Sequence, residues 1–203
     1  MIHKYSSDSQ ERKIIPFFIA ALAISAAFLI SSIFKSLSFV PPWWLSLPVD
    51  TMGFYGIFYW LFDKVIWKMK WVHVLLITRI PNLSGKWEGT VYPARTSISP
   101  TNLPSEVKME ITIKQTWTEL LITGKTAQSS SHSVSGYFVV ADEKVLSYEY
   151  VNDPVPGAAE TMHAHRGTAH VALDSTCTRL SGEYYSGRDR QGLGRIVLER
   201  HPN

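Results

Sequence analysis

The sequence predicts a membrane-anchored all-β protein, in which two N-terminal transmembrane helices precede an eight-stranded antiparallel, up-and-down β-barrel. Long apolar runs without β periodicity fill residues 1–82, whereas short alternating segments separated by turn residues continue from there towards the C-terminus. The Gly85-Lys86-Trp87 triplet opens the first of these segments. We therefore place a membrane anchor over residues 1–82 and a barrel domain over residues 83–203.

The two halves differ in charge, which limits the classes of partner. Residues 1–82 hold eight of the 20 Lys and Arg and four of the 17 Asp and Glu, which leaves 12 and 13 for the barrel. A near-neutral barrel lacks the basic surface of a nucleic-acid-binding protein, so no polymeric nucleic acid is expected as a partner. The basic excess of the anchor suits a lipid bilayer with anionic headgroups. Cys177 is the single cysteine, which excludes an intrachain disulfide.

The first transmembrane helix is predicted over residues 14–34. This run has 21 residues without a charge, about the length that a hydrocarbon core requires. Pro16 falls in its first turn, where a missing N–H is tolerated. A cleaved signal peptide is the alternative, because Arg12 and Lys13 precede the run, but the run is long for a signal peptide and a second apolar run follows.

The second transmembrane helix is predicted over residues 46–67, followed by a short amphipathic linker. Tryptophans near the ends of the two helices are typical of membrane interfaces. Lysines and arginines precede the first helix and follow the second, while the connecting loop holds only Lys35. By the positive-inside rule, a multi-pass protein with both termini in the cytoplasm is expected.

Eight strands are predicted from period-two alternation and turn residues. Along residues 107–117, for example, Val107, Ile111 and Trp117 share one face with other apolar residues. No helical pattern interrupts the series, which favours antiparallel neighbours and a closed sheet without edges. The predicted strands cover residues 84–92, 107–117, 119–127, 133–141, 144–151, 163–173, 179–187 and 193–200.

The predicted connections give the barrel a direction. Long connections at 93–106 and 152–162 lie at the same end, which we expect to be the open end that carries the function. An eight-stranded barrel has an interior that side chains fill or that holds one small ligand. At the other end, Gly85 and Trp87 begin the first strand, and Arg200 ends the last. The Gly-x-Trp start resembles that of lipocalin-like barrels, in which an arginine packs over the tryptophan. The resemblance implies that Arg200 packs over Trp87, and an Arg200 that only meets solvent is the alternative.

Strand alternation directs several polar and aromatic side chains into the open end of the barrel. Tyrosine rings can stack on planar groups, and arginine side chains can hold phosphates, so a planar, anionic ligand is expected. Tyrosines that only fill the core and arginines that only meet solvent remain the alternative. The candidate ligand-binding residues are Thr126, Tyr148, Tyr150, His163, His165, Tyr184, Arg188 and Arg190.

Metal and enzyme chemistry find little support in the sequence. His163 and His165 are spaced for one face of a strand, which is compatible with a transition metal, but a third ligand is not evident. No catalytic triad, phosphate-binding glycine loop or pair of carboxylates stands out. We therefore expect no metal, no cofactor and no enzymatic activity.

The order of a short N-terminus, two transmembrane helices and a barrel opened by Gly85-Lys86-Trp87 resembles the effector family of bacterial CBASS anti-phage systems that has two transmembrane helices and a β-strand-rich sensor. The resemblance implies that a CD-NTase makes a cyclic dinucleotide, which the barrel binds. It further implies that the effector forms homo-oligomers on activation and disrupts the inner membrane, so that the infected cell dies. The alternative function is a membrane-anchored, lipocalin-like carrier of a small apolar ligand.

Overall fold

The computed structural model describes residues 2–43, 50–75, 77–94, 105–140, 143–158, 163–187 and 192–201. The chain forms two compact units. The helical unit is Ser9–Arg79, and the β unit combines Met1–Asp8 with Ile80–Asn203. Residues 1–8, which the sequence assigned to the anchor, thus belong to the β unit.

The first helix, α1 (Glu11–Ser36), is the long apolar element of the helical unit. Within the described residues it is the one helix whose length and composition allow it to cross a membrane. Large side chains such as Phe17 and Phe28 are exposed, as expected for a surface that faces lipid. The hydroxyls of Ser25 and Ser32 donate to backbone carbonyls one turn earlier, at 3.0 and 2.8 Å. Such internal bonds satisfy polar groups where water is absent.

The second helix, α2 (Thr51–Lys64), has 14 residues, fewer than the roughly 20 of a bilayer crossing. A 3₁₀ turn and the short helix α3 follow it, over Ile66–Lys68 and Lys70–Val74. The structure therefore differs from the predicted span of 46–67, because regular α-helix ends at Lys64. Residues 46–49 lie outside the described residues.

Eight antiparallel strands form a closed barrel, which confirms the predicted fold class. Each strand pairs with the next along the chain, and the last pairs with the first. The strands are β3 (Gly85–Pro93), β4 (Val107–Gln115), β5 (Glu119–Lys125), β6 (Ser129–Val139), β7 (Val145–Pro154), β8 (His165–Leu173), β9 (Arg179–Ser186) and β10 (Leu193–Arg200).

Alternation along the strands separates a buried interior from the outer surface. In β4, Ile111, Ile113 and Gln115 are buried while Glu110 and Lys114 are exposed. Burial of each large apolar side chain stabilises the fold by about 1.5–3 kcal/mol. The largest interior side chains include Trp87, Trp117, Leu120, Phe138, Leu146, Leu180 and Leu198. This part of the interior is a filled core.

Arg200 packs over Trp87, as the sequence predicted. The guanidinium carbon lies 5.4 Å from the centroid of the indole ring, within the range of a cation–π contact. Arg200 Nη2 also donates to the Ser84 carbonyl at 2.6 Å, and Trp87 Nε1 donates to the Leu83 carbonyl at 2.9 Å. Gly85 has a φ of 134°, a conformation that favours glycine. These contacts fix the start of the first barrel strand to the end of the last.

Two short strands from the N-terminus join the barrel wall. Strand β1 (His3–Lys4) pairs antiparallel with β5, and strand β2 (Ser6–Ser7) pairs in parallel with β6. Asp8 then accepts a hydrogen bond from the Val140 amide at 2.9 Å. We call residues 2–8 the N-terminal segment. This segment was not predicted from the sequence, because the stretch is too short to show a β period and Tyr5 is its one Phe, Tyr or Trp residue.

Two strands start more than one residue away from the predicted position. Strand β6 begins at Ser129, four residues before the predicted start, because serines carry no apolar signal. Strand β8 begins at His165 and not at residue 163. The antiparallel register of β7 and β8 would place His163 opposite Pro154, and proline has no N–H for the ladder.

Candidate functional site

The candidate site lies at the end of the barrel with the longer connections, which we call the mouth end. The connections there are 94–106, 126–128, 155–164 and 187–192, and those at the opposite end, the floor, are 116–118, 140–144 and 174–178. Residues 95–104, 159–162 and 188–191 lie outside the described residues. The floor half of the interior holds the apolar core, so a ligand site is expected towards the mouth end.

Aromatic side chains from β7, β8 and β9 form one wall of the interior. The rings of Tyr148 and Tyr150 lie 6.2 Å apart between centroids, and those of Tyr150 and His165 lie 6.4 Å apart, nearly at right angles. Tyr148 and His165 are buried. We call Tyr148, Tyr150, His165 and Tyr184 the aromatic wall. Its rings can provide stacking surfaces for planar groups.

Two polar groups in this wall have defined hydrogen-bonding roles. Burial, and secondarily the neighbouring Tyr150, raises the pKa of the Tyr148 hydroxyl far above its ordinary value of 10.0, so Tyr148 remains a hydrogen-bond donor. Nδ1 of His165 lies 2.8 Å from the His163 carbonyl, which can only accept. In the neutral imidazole, Nδ1 therefore carries the proton and Nε2 is an acceptor.

Glycines on neighbouring strands make room for the tyrosines. A Cβ on Gly167 would lie 2.4 Å from the Tyr150 hydroxyl, and one on Gly194 would lie 2.6 Å from Cε1 of Tyr184. Both distances are far inside van der Waals contact. The tyrosine rings thus lie across positions where any other residue would displace them, and the glycines set the shape of the aromatic wall.

Alternating serines of β6 form a second wall, which the sequence analysis missed. Ser131 is in register with Asn152, and Ser133 is in register with Tyr150. Ser133 is buried, and its hydroxyl accepts a hydrogen bond from the Ile122 amide at 2.9 Å. We call Ser129, Ser131 and Ser133 the hydroxyl wall. The signal was present as serines at every second position of the run Ser129-Ser130-Ser131-His132-Ser133.

Thr126 serves the turn between β5 and β6. Its hydroxyl accepts hydrogen bonds from the Gln128 and Ser129 amides at 3.2 and 3.0 Å, and its own amide donates to the Ser129 carbonyl at 2.9 Å. This side-chain-to-backbone pattern is typical of Ser and Thr in tight turns. Thr126 therefore shapes the rim of the mouth end.

The remaining predicted site residues are His163, Arg188 and Arg190. His163 precedes β8 and is exposed, so the prediction that it lies within the strand was wrong. Its carbonyl orients His165 instead. Arg188 and Arg190 lie outside the described residues. Within the part of the chain that the structure describes, no group of three or more His, Cys, Asp or Glu side chains could hold a metal ion.

A groove of about 700 Å³ lies along β3, β4 and β5 and reaches the turn that follows β5. Its lining residues are Glu88, Gly89, Lys108, Met109, Glu110, Lys125, Thr126 and Ala127. Glu88, Glu110 and Lys125 are in register with one another, and their chain neighbours Trp87 and Ile111 are the buried ones. The charged side chains therefore belong to the outer surface. Of the predicted ligand-binding residues that the structure describes, Thr126 alone lines this groove.

The interior at the mouth end thus combines tyrosine and histidine rings on one side with hydroxyl groups on the other. Such an arrangement can stack planar rings and donate hydrogen bonds to oxygen atoms at the same time. It has the chemistry of a binding site for a small, polar, planar molecule.

Comparison with known proteins agrees with both units. Residues 78–200 match the family described as the Cap15 cyclic dinucleotide receptor domain, and residues 13–68 match the one described as the Cap15 TM helices. A relative from Yersinia aleksiciae, named CD-NTase-associated protein 15, is 30% identical over 156 residues, which are 75% of this chain and 70% of the relative. The chain therefore belongs to the Cap15 family and joins a cyclic dinucleotide receptor domain of β-barrel form to a transmembrane region.

Proposed function

We propose that this protein is a CBASS effector that binds a cyclic dinucleotide in its barrel, oligomerises and disrupts the bacterial inner membrane. The observation that carries the proposal is the presence of the Cap15 receptor domain and the Cap15 TM helices in one chain. A receptor joined to a membrane region has the two parts that a ligand-controlled membrane protein needs. The protein acts by binding, without enzymatic activity.

The candidate site supports a cyclic dinucleotide as the ligand. Such a molecule presents two bases for stacking and two phosphates for hydrogen bonding. In this proposal the aromatic wall stacks on the bases, because aromatic rings are sequence-tolerant stacking partners of every base. Hydroxyl groups of the hydroxyl wall meet ligand oxygens, and Arg188 and Arg190 hold the phosphates. The name of the Yersinia relative supports a CD-NTase as the source of the ligand.

The composition of the helical unit supports action on the membrane. Helix α1 is apolar over a length that suits a bilayer, and lysines and arginines flank the two apolar runs but are sparse between them. The proposed topology has two crossings with both ends in the cytoplasm. In that topology the barrel meets ligand in the cytosol. On activation, copies of the chain associate and disturb the bilayer, which kills the infected cell.

The carrier function has weaker support. A carrier of a small apolar ligand needs an apolar interior, whereas buried Ser129, Ser133, Asn152 and His165 lie towards the mouth end. An apolar ligand offers no hydrogen bonds to such side chains, so replacing water beside them would cost free energy.

A pair of adjacent tyrosines tests the ligand site. Tyr184 belongs to the inward set of β9, whereas Tyr185 is 43% exposed on the outer face. The full-length protein in nanodiscs is titrated with cyclic di-GMP, cyclic GMP–AMP and cyclic UMP–AMP. Loss of one stacking contact costs about 1–3 kcal/mol, so Tyr184→Ala should weaken binding of the recognised dinucleotide by about 5- to 150-fold. Tyr185→Ala should leave binding unchanged.

Dye release tests the membrane step. Liposomes that contain the full-length protein should release a trapped dye when the recognised dinucleotide is added, in step with a shift to a larger species in chemical cross-linking. Binding without dye release would overturn membrane disruption but not the ligand. The absence of binding to all three dinucleotides by the unsubstituted protein would count against the ligand itself.

A further inference from the structure

The wall of the barrel is incomplete without the N-terminal segment. In the described residues, β5 and β6 pair directly at three positions near the mouth end, Thr123–His132, Gly124–Ser131 and Lys125–Ser130. Towards the floor, His3 and Lys4 pair with Leu120 and Glu119 of β5, and Ser6 and Ser7 pair with Tyr137 and Phe138 of β6. We call this part of the wall the seam. The N-terminal segment fills it as a ninth strand.

His3 projects from the seam into the barrel. It is in register with Leu120, which is buried in the core, and registered partners of a sheet point to the same face. Its Cε1 lies 3.6 Å from the position that a Cβ on Gly136 would occupy, and Gly136 is in register with Tyr148 of the aromatic wall. His3 is therefore part of the interior lining, although 130 residues separate it from Ser133 in the sequence.

One hydroxyl links His3 to the candidate site. Nε2 of His3 lies 2.7 Å from the Ser133 hydroxyl, while Nδ1 lies 3.1 Å from the Lys4 carbonyl. Because a carbonyl only accepts, Nδ1 carries the proton of the neutral ring, and Ser133 donates its hydroxyl proton to Nε2. The same hydroxyl accepts from the Ile122 amide, and Ser133 is in register with Tyr150.

Tyr5 fastens the other end of the N-terminal segment. It is buried, and its amide donates to the Thr118 carbonyl at 3.3 Å. Its hydroxyl donates to the Thr116 carbonyl at 3.4 Å and accepts from Gln115 Nε2 at 3.2 Å. Beyond Asp8, only Ser9 and Gln10 precede the start of α1 at Glu11. The N-terminal segment is thus a very short covalent path from the receptor interior to the apolar helix.

We propose that the N-terminal segment is a displaceable strand of the receptor, and that a ligand in the candidate site unseats it through Ser133 and His3. If the Ser133 hydroxyl donates its hydrogen bond to a phosphate or ribose oxygen of the ligand, Nε2 of His3 loses its hydrogen-bond donor. The two-residue pairings of β1 and β2 are the shortest in the sheet, so this segment yields before any barrel strand. This inference rests on the proposed function and names how its ligand site is coupled to the membrane region.

Coupling of this kind is reciprocal. If the ligand favours the unseated state, a change that holds the segment in place must weaken ligand binding by the same factor. A change that loosens the segment must strengthen binding, because less of the binding free energy is then used to displace it. A purely structural role of His3 would not predict that loosening the segment tightens ligand binding. The direction of the change in affinity therefore distinguishes the two roles.

A reversible cross-link tests the proposal. Lys4 and Glu119 are antiparallel partners, at a separation that suits a disulfide. The full-length protein carries Cys177→Ser, Lys4→Cys and Glu119→Cys. Binding is measured in nanodiscs and dye release in liposomes, with cyclic di-GMP, cyclic GMP–AMP and cyclic UMP–AMP as probes. When oxidised, it should bind the recognised dinucleotide about tenfold more weakly and release little dye. Reduction should restore both.

A second cross-link controls for stiffening of the barrel. Arg179 and Glu199 are exposed partners on β9 and β10. A disulfide between Arg179→Cys and Glu199→Cys should change neither dinucleotide binding nor dye release. Equal binding and dye release by the oxidised and reduced Lys4–Glu119 pair would overturn the displaceable strand. If the reduced protein itself neither binds a probe nor releases dye, the proposed function fails, and the coupling fails with it.

Single substitutions test the role of His3. His3→Ala should speed amide exchange at residues 119–120 and 137–138 and tighten the apparent affinity for the recognised dinucleotide about three- to tenfold. Lys4→Ala, on the exposed face of the same strand, should do neither. Weaker or unchanged affinity in His3→Ala would overturn the proposed displacement.

Discussion

The side-chain amide of Gln115 donates a hydrogen bond to the hydroxyl of Tyr5 at 3.2 Å, across 110 residues of sequence. The same amide nitrogen lies 3.2 Å from the Pro81 carbonyl, and Gln115 Oε1 accepts from the Leu83 amide at 2.8 Å. The segment that precedes the helical unit and the chain that follows it are therefore held by one buried side chain. Gln115 is 3% exposed, so water does not compete for these bonds.

Gln115→Leu should destabilise the barrel by about 1–3 kcal/mol, because the buried Leu83 amide and Tyr5 hydroxyl would lose their partner. Thermal unfolding of the full-length protein, followed by circular dichroism of the β signal, measures the change. Lys114→Ala, exposed on the same strand, should unfold like the unsubstituted protein. Equal melting of Gln115→Leu and Lys114→Ala would contradict the structural role of Gln115.

Trp87→Ala should cost about 3–5 kcal/mol, the range for removing a fully buried tryptophan, and Arg200→Ala should cost less. Arg200 loses one ring contact and a hydrogen bond to the Ser84 carbonyl, together worth about 1–3 kcal/mol. Urea unfolding monitored by circular dichroism separates the two effects. Arg195→Ala, exposed on β10, is the control. If Arg195→Ala lost as much stability as Arg200→Ala, the loss would be due to net charge and not to the contacts of Arg200.

Stability should fall in acid partly through Asp174. Hydrogen bonds from the Thr176 hydroxyl and then from the Arg179 amide lower the pKa of this exposed carboxyl below its ordinary value of 3.8. The ionised carboxylate therefore stabilises the fold above that value, and the contribution disappears as pH falls through the lower, folded-state pKa. Asp174→Asn should flatten the loss of melting temperature between about pH 5 and about pH 2. An unchanged slope would exclude Asp174 as a source of the acid sensitivity.

Ser133→Ala should loosen the N-terminal segment without any ligand. Ser133 holds both the His3 ring and the Ile122 amide, whereas Ser135 lies on the outer face and contacts Glu149. Hydrogen exchange should therefore quicken at residues 3–7 in Ser133→Ala and stay unchanged in Ser135→Ala. Stability should fall by about 1–2 kcal/mol in Ser133→Ala. Protection that stays intact in both variants would show that the backbone pairings alone seat the segment.

A charge in the middle of α1 should prevent its insertion into a membrane. Leu22 is exposed near the centre of the helix, where an aspartate costs about 2.5–3.5 kcal/mol. Leu22→Asp should move the protein from the membrane pellet to the alkaline-extractable fraction. Ser36→Asp, at the last residue of the helix, should remain in the pellet. If Leu22→Asp also resisted extraction, α1 would not be the anchoring element.

The eight strands and their order could be predicted because alternation in each strand is a local property. The alternation of Ile111 and Ile113 with polar residues shows which face is buried within a few residues. The contact between Arg200 and Trp87 follows from the resemblance to other barrels that begin with Gly-x-Trp. The N-terminal segment could not be predicted in the same way. Its pairing partners lie more than a hundred residues away, and a stretch from His3 to Ser7 is too short to show a period.

The site was predicted in part for a similar reason. Tyr148, Tyr150 and Tyr184 follow from alternation along continuous strands. The hydroxyl wall was missed because serine carries no apolar signal, and because the register of β6 shifts between Ser133 and Ser135. Such a bulge exchanges inward and outward positions on either side of it, so counting from Phe138 assigns the serines to the wrong face.

The place of the N-terminal segment has a consequence for synthesis and folding. The segment leaves the ribosome before the helical unit does, but its partners on β5 and β6 are complete only after Val139 has been made. Between these events the apolar helix is synthesised and becomes available to the membrane. Closure of the barrel is therefore a late step between distant parts of the chain, and the entropy cost of loop closure makes it slow. It can begin only after the helical unit has been synthesised. Insertion and receptor assembly are ordered in time by the position of seven residues.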